Sequence, residues 1–379
     1  MSDNKSNPAA GVARAEVDMA VQVGNVRLHR PVLLASGTCG YGVEYSDLLD
    51  FARIGGLFTK SITLEPRKGN APPRTVETSA GMLNAIGLAN VGLEAFCREK
   101  LPEIRELLGK VAASRTSGPA RPADAGTAGG ATPKGCTSGN TSGKEPGGTH
   151  GDFAIFVNVA GHSVDEYVKV CRRLDEFPEL AGFELNVSCP NVSDGLTFGT
   201  NPTLLGQLVE QVRRSVRRGL LVVKLSPNVT DIAATAKAAI EAGADALSLV
   251  NTYVGMAINI DTGRPILSNC TGGLSGPAIK PLAVYAVYKV YRQVAREAGI
   301  PLFGIGGIVS WQDAAEFVLA GASAVVVGTG TFTDPTIPGD VADGLAGWVK
   351  ARGQERLTDL VGVAAGRVAR CPSGTAATQ

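Results

Sequence analysis

The sequence predicts an α/β fold, a (β/α)8 barrel of the TIM type, and three observations carry that prediction. Eight short apolar runs rich in β-branched residues recur along the 379 residues, each near-continuous rather than alternating, the pattern of a parallel strand buried on both faces. Stretches of helical character separate them, so strand and helix alternate along the chain. Glycines are many (48) and aromatics few (5%), which suits aliphatic strands joined by tight loops.

Residues 1–16 are polar and lack the apolar segment of a signal peptide, so a flexible N-terminal tail is expected. VQVGNVRL comes next, where Gly-Asn between two short runs predicts a hairpin capping the bottom of the barrel. Strands are expected at Val32–Ser36, Leu57–Ile62, Ala154–Ala160, Phe183–Ser188, Leu221–Ser226, Ala246–Asn251, Pro301–Gly307 and Ala324–Gly330. Helical patterns fall at Asn90–Gly109, Val164–Asp175, Pro202–Arg217, Ile232–Ala242, Ile279–Ala298 and Gln312–Ala320. Residues 111–150 are Gly, Ala, Thr, Ser and Pro with almost no large apolar side chain. Such a stretch does not bury enough surface to offset its ordering entropy and is expected to be a disordered insertion. The single barrel domain is therefore assigned to 17–110 and 151–362, with 363–379 a flexible C-terminal tail.

Composition removes several classes of function. The net charge of +1 gives no electrostatic basis for a nucleic-acid partner. No run is long enough to span a bilayer, so a membrane is not expected and a cytoplasmic location is. Seven cysteines (39, 97, 136, 171, 189, 270 and 371) form no CxxC pair, and only His29, His150 and His162 are present. Neither a zinc or iron–sulfur site nor a histidine-rich metal site is expected. His162 suits a polar helix-start position.

In this fold the site forms where strands end. The successive ends offer Ser36 with Gly37, Lys60 with Ser61, Asn158, Asn186 with Cys189, Lys224, Asn251 with Thr252, Gly306 with Gly307, and Gly328 with Thr329. No carboxylate stands among them. GIGGI and VGTGT after strands seven and eight supply free backbone N–H groups at the usual barrel phosphate site, and they do not make the GxGxxG of a dinucleotide fold. A phosphate there with Lys224 opposite suits FMN, Lys224 stabilising negative charge near N1 on reduction. A sugar-phosphate barrel is the alternative, but the asparagines favour a planar heterocycle with alternating donors and acceptors. Within NVSCPNVSDG, Cys189 stands where the fourth apolar run gives way to a glycine-containing loop, and its ordinary pKa of about 8.5 suits a base that takes a proton from carbon while hydride leaves to the flavin. Gly195 and Gly199 suit a lid that closes over the reaction.

Three long motifs extend this reading. NVSCPN, TLEPRKGNAPPRTVETSAGMLNAIGLAN (Thr63 to Asn90) and NCTGGLSGPAIKP (Asn269 to Pro281) resemble the catalytic loop, substrate segment and flavin loop of the dihydroorotate dehydrogenases, specifically class 1B, over roughly residues 19–350. The resemblance implies oxidation of (S)-dihydroorotate to orotate in de novo pyrimidine (UMP) biosynthesis, with Cys189 removing the C5 proton while hydride passes from C6 to FMN. It implies a pyrimidine held by Lys60, Asn84, Ala85, Ile86, Gly87, Leu88, Asn186, Asn191, Asn251 and Thr252. The flavin would be held by Ser36, Lys60, Ser61, Asn158, Asn186, Lys224, Val250, Gly276, Gly306, Gly307, Gly328 and Thr329. The serine base and N-terminal membrane segment of class 2 are not seen. This chain has neither a cluster of iron–sulfur cysteines nor a dinucleotide fingerprint, so the class 1B pattern implies a partner subunit carrying FAD and a [2Fe–2S] cluster, in a heterotetramer built on a homodimer. The insertion and the lid after Cys189 depart from the family pattern. The rivals are a fumarate-dependent class 1A enzyme, a dihydropyrimidine dehydrogenase-like enzyme, a tRNA dihydrouridine synthase, and a non-catalytic flavin or phosphate carrier.

Overall fold

The computed structural model describes residues 16–116, 153–187 and 198–366. Eight parallel strands close into a barrel: β1 (Val32–Leu34), β2 (Gly56–Phe58), β3 (Ala154–Val159), β4 (Gly182–Asn186), β5 (Leu220–Lys224), β6 (Ala246–Leu249), β7 (Leu302–Ile305) and β8 (Ala324–Val327). They follow one another in chain order, and β8 pairs back onto β1. Each begins within one residue of an expected run but ends sooner, so the residues at the tails of those runs leave the ladder as loops.

Helices return the chain from strand to strand: α1 (Leu101–Thr116), α2 (Val164–Leu174), α3 (Pro202–Ser215), α4 (Ile232–Glu241), α5 (Lys280–Val290), α6 (Trp311–Ala320) and α7 (Ile337–Ala351). Four begin at side-chain caps that occupy otherwise unpaired N–H groups: Ser163 for α2, Asn201 for α3, Asp231 for α4, and Ser310 with Asp313 as a reciprocal box for α6. A cap of this kind is worth about 1 kcal/mol. Two departures stand out. The connection from β1 to β2 is made by 3-10 turns at Val43–Tyr45 and Phe51–Arg53 rather than by a long helix, and α7 has no counterpart among the expected helices. Helix α1 continues through Thr116, so the stretch assigned to the insertion begins as helix, and Val111 packs into the core. The remainder of 111–150 lies outside the described residues, as do residues 1–15 and 367–379, while Val363–Gly366 forms a short helical turn at the start of the expected tail.

The barrel interior is filled from the bottom. Strands Val21–Val23 and Val26–Leu28 make the expected hairpin, whose Gly24 turn (φ +55°) lies against Leu220, the first residue of β5. Above it Phe58, Phe156 and Phe303 meet with ring centroids 5.0–5.9 Å apart. Since β2 and β7 are not neighbours in the sheet, the Phe58–Phe303 contact crosses the barrel axis and plugs it. At the other end a second sheet forms, antiparallel, in the order Tyr253–Gly255, Gly272–Ser275, Gly81–Asn84, Thr75–Thr78. It is built from the loops that follow β2 and β6, so it stands on the face where strands end. Among the described residues, no helix is long and apolar enough to cross a membrane.

Truncating Phe156, fully buried at the centre of the plug, removes contacts to two rings at once. Phe156→Ala is expected to lower the unfolding free energy by about 3–5 kcal/mol, measured as a drop in the urea midpoint.

Candidate active site

Register sets the polar side chains of neighbouring strands side by side. Asn158 of β3 lies beside Glu184 of β4, Asn186 beside Lys224 of β5, and Lys224 beside Ser248 of β6. Phe156 and Asn158 are two residues apart on one strand and so share a face. The polar layer therefore sits one step above the aromatic plug.

Hydrogen bonds join this layer into one network. The Asn158 amide, fully buried, donates to Glu184 Oε2 (2.5 Å) and Ser36 Oγ (3.2 Å), and its carbonyl accepts from Ser61 Oγ (2.5 Å). Ser248 Oγ donates to Glu184 Oε1 (2.7 Å). Lys224 Nζ donates to Ser36 Oγ (3.0 Å) and stands 3.6 Å from Glu184 Oε2, with both charged side chains buried. Asn251 Nδ2 donates to Asn186 Oδ1 (3.1 Å), and Asn186 Nδ2 reaches Ser61 Oγ at 3.5 Å. Six expected residues, Ser36, Ser61, Asn158, Asn186, Lys224 and Asn251, thus belong to one connected set. Lys60 follows Phe58 by two residues and is half-buried, its N–H donating to Gly40 O (2.6 Å). Val250 is buried with its N–H on Ile305 O, and Thr252 O accepts from Asn228 Nδ2 (2.9 Å).

Glu184 was not expected. It lies two residues inside β4, one side-chain layer below Asn186, so inspection of strand ends passes over it. Ser248 and Ser275 were missed for the same reason: a serine in an apolar strand or a glycine-rich loop carries little signal. An acidic residue in the middle of an apolar run (GFELN) was the one available sign, since buried carboxylates are rare unless paired.

The segment Asn84 to Leu88 continues the central strand of the upper sheet. Asn84 Nδ2 donates to Gly273 O (3.3 Å), Asn70 donates to Ala85 O (2.9 Å) through its amide and to Ile86 O (3.0 Å) through its N–H, and Asn90 Nδ2 donates to Leu88 O (2.8 Å). These bonds hold a left-handed pair, Gly87 (φ +75°) and Leu88 (φ +56°). A side chain costs about 1–2 kcal/mol in that region, and a Cβ on Gly87 would come within 2.6 Å of Asn70.

The glycine turns after β7 and β8 face the loop Asn269–Pro281. Gly306 (φ +138°) and Gly307 (φ +71°) have backbone angles that only glycine adopts readily, and a Cβ on Gly307 would lie 2.7 Å from Gly276 O. Thr329 Oγ1 donates to Ser275 Oγ (2.8 Å). Among the described residues the N–H groups of Gly307, Gly328 and Thr329 donate no hydrogen bond, which fits an anion cradle. Lys280 fastens the loop to α6 by donating to Asp313 (2.8 Å) and Glu316 (2.7 Å). Burial raises the Asp313 carboxyl, but Lys280, the Ser310 hydroxyl and the Val309 N–H together hold it below its ordinary value.

Cys189 and Asn191 lie outside the described residues, as does Gly195. The flanks of their loop are described: Gly199 N donates to Val187 O (2.9 Å), so both ends of 188–197 meet above β4. Tyr167 fixes that point by donating its hydroxyl to Asn186 O (2.8 Å) while packing edge-on against Phe198. His162 directly precedes the Ser163 cap of α2, and its ring lies 2.5 Å from Arg67 Nη1.

A barrel with a buried lysine, a ring of amides and a glycine cradle at one rim is of the kind that binds a phosphorylated cofactor and a planar polar substrate together. A model of the family described as "Dihydroorotate dehydrogenase" matches residues 18–348, and the chain belongs to that family. It is 45% identical to a dihydroorotate dehydrogenase B (NAD(+)), catalytic subunit, of Pelobacter propionicus, covering 91% of this chain and 98% of the relative. The corresponding protein of Geotalea daltonii is 43% identical over 92% and 98%. A protein of Aquifex aeolicus named as a putative dihydroorotate dehydrogenase A (fumarate) is 40% identical over 92% and 99%.

Replacing Lys224 by methionine leaves Glu184 buried without its counter-charge. Lys224→Met is expected to destabilise the fold by on the order of 3 kcal/mol, read from the urea midpoint, with Lys224→Arg losing less.

Proposed function

We propose that this chain is the catalytic subunit of an NAD-linked dihydroorotate dehydrogenase, oxidising (S)-dihydroorotate to orotate in de novo pyrimidine biosynthesis. What carries the reading is the convergence of Lys60, Asn158, Asn186, Lys224 and Asn251 on one rim in a chain of this family. The cofactor would be FMN, with Gly306, Gly307, Gly328 and Thr329 to hold its phosphate and Ser36, Lys60, Ser61, Asn158, Asn186, Lys224, Val250 and Gly276 to hold its ring. The unpaired N–H groups of the glycine turns and the buried donors of the polar layer fit that group. FMN, when bound, accepts the hydride from C6 of the substrate.

The chain's own residues do the rest. The amides of Asn84, Asn186, Asn191 and Asn251, with Thr252 and the backbone of Ala85 to Leu88, hold the pyrimidine ring edge-on, and Lys60 meets its carboxylate side. Cys189, as thiolate, takes the C5 proton, so the substrate loses one proton and one hydride and gains the ring double bond. Lys224, buried at the strand end, would offset the negative charge that a bound flavin gains on reduction.

Electrons leave to NAD through a second subunit that carries FAD and a [2Fe–2S] cluster, in a heterotetramer around a homodimer of this chain, in the cytoplasm. The fumarate-linked name among the relatives makes the acceptor the point to test. Under anaerobic conditions dihydroorotate should bleach the yellow of the purified chain. Re-oxidation by the partner subunit with NAD, and not by fumarate, is expected; the reverse result assigns the fumarate type. Cys189→Ala should keep its flavin and lose about 10²–10⁴-fold in the rate of bleaching at neutral pH.

A further inference from the structure

Glu184 is the one fully buried carboxylate in the polar layer, and the steps above leave it unused. It is not there for lack of an alternative: its neighbours Phe183 and Leu185 are apolar, and a hydrophobic side chain at 184 would fill the interior with no charge to satisfy. Both its oxygens are occupied by fixed donors, Oε1 by Ser248 and Oε2 by Asn158, and Oε2 is also the nearest anionic atom to Lys224 Nζ. Ser36 Oγ accepts from the same ammonium at 3.0 Å. The carboxylate therefore stands at fixed distance behind the one cation assigned to the flavin's charge, in an interior where charges are poorly screened.

We propose that Glu184 is a positioning residue that holds Lys224 toward the cofactor and tempers its positive charge, and so sets the reduction potential of the bound flavin. The inference rests on the FMN reading above. Lys224 alone favours the electron-rich reduced flavin, and the carboxylate behind it opposes that preference. Removing the charge while keeping the shape should leave the reduced form bound more tightly relative to the oxidised form. Asn158 and Ser61 connect the same carboxylate to the second strand end, which keeps the pair from swinging apart.

The test is a potentiometric titration of the holoenzyme against reference dyes, following the visible spectrum. In Glu184→Gln the ratio of affinities for reduced and oxidised FMN should rise about tenfold, a positive shift of about 30 mV for a two-electron couple. Glu184→Asp, which keeps the charge, should return most of the way to the wild-type potential. Ser248→Ala leaves the charge and removes one of its donors, so it should move the potential the other way; it also carries the test if the glutamine variant does not fold. Potentials unchanged in these variants, or a negative shift in Glu184→Gln, overturn the proposal while leaving the FMN reading intact. A wild-type chain that takes up no FMN overturns both.

Discussion

A charged pair inside the barrel constrains everything around it. Lys224 and Glu184 are buried together at 3.6 Å, and taking two charges out of water is repaid only when their remaining hydrogen-bonding capacity is filled. That demand accounts for the company they keep: Asn158, Ser248 and Ser36 are the donors and acceptors within reach, each from a different strand or strand end. The pair and these three partners thus tie together five of the eight barrel positions, and Ser61 after β2 adds a sixth. The aromatic plug below it has the opposite chemistry, and it separates the charged layer from the bottom of the barrel.

The upper sheet serves the same rim by a different means. Its central strands, Gly81–Asn84 and Gly272–Ser275, pair through backbone, and glycine is what allows their junction with the barrel. A Cβ on Gly81 would lie 2.0 Å from Ser275 O, and one on Gly276 would lie 2.6 Å from the Gly81 Cα. Two loops that follow strands far apart in sequence are brought to van der Waals distance there, with Thr329 tying the result to β8. The segment after Gly81–Asn84 and the glycine turn after β8 are in this way joined through Gly272–Ser275.

What was legible in the sequence follows from how each element is stabilised. The barrel strands announce themselves because burial on both faces demands continuous apolar residues, and all eight begin within a residue of the runs. The upper sheet is silent because its strands are short, glycine-rich and half-exposed, held by backbone pairing that leaves no side-chain pattern. Helix α7 was missed for a related reason. Its sequence IPGDVADGLAGWVKA carries three glycines and a proline, poor helix formers by propensity. Tertiary packing selects two of the glycines instead, since a Cβ on Gly344 would fall 2.4 Å from Trp311 and one on Gly339 2.8 Å from Arg53. At the site, residues at strand ends were recoverable from position alone. Glu184 was not, because its partners come from β3, β5 and β6 and only the closed barrel brings them together.

The cysteines show why position, rather than proximity to a lysine, decides which thiol does chemistry. Cys39 lies after β1, close enough to the polar layer to feel Lys224, yet burial and the nearby Glu44 push its pKa up to about 12. Its thiol donates to the carbonyls of Ala35 and Phe58, and burial keeps it protonated. Cys171 in α2 is buried against the core and raised further, by burial above all. A thiol that must give up its proton near neutral pH cannot sit at that depth. Such a thiol has to be better solvated than Cys39 or Cys171 is. The barrel interior thereby disqualifies Cys39 and Cys171 as bases near neutral pH.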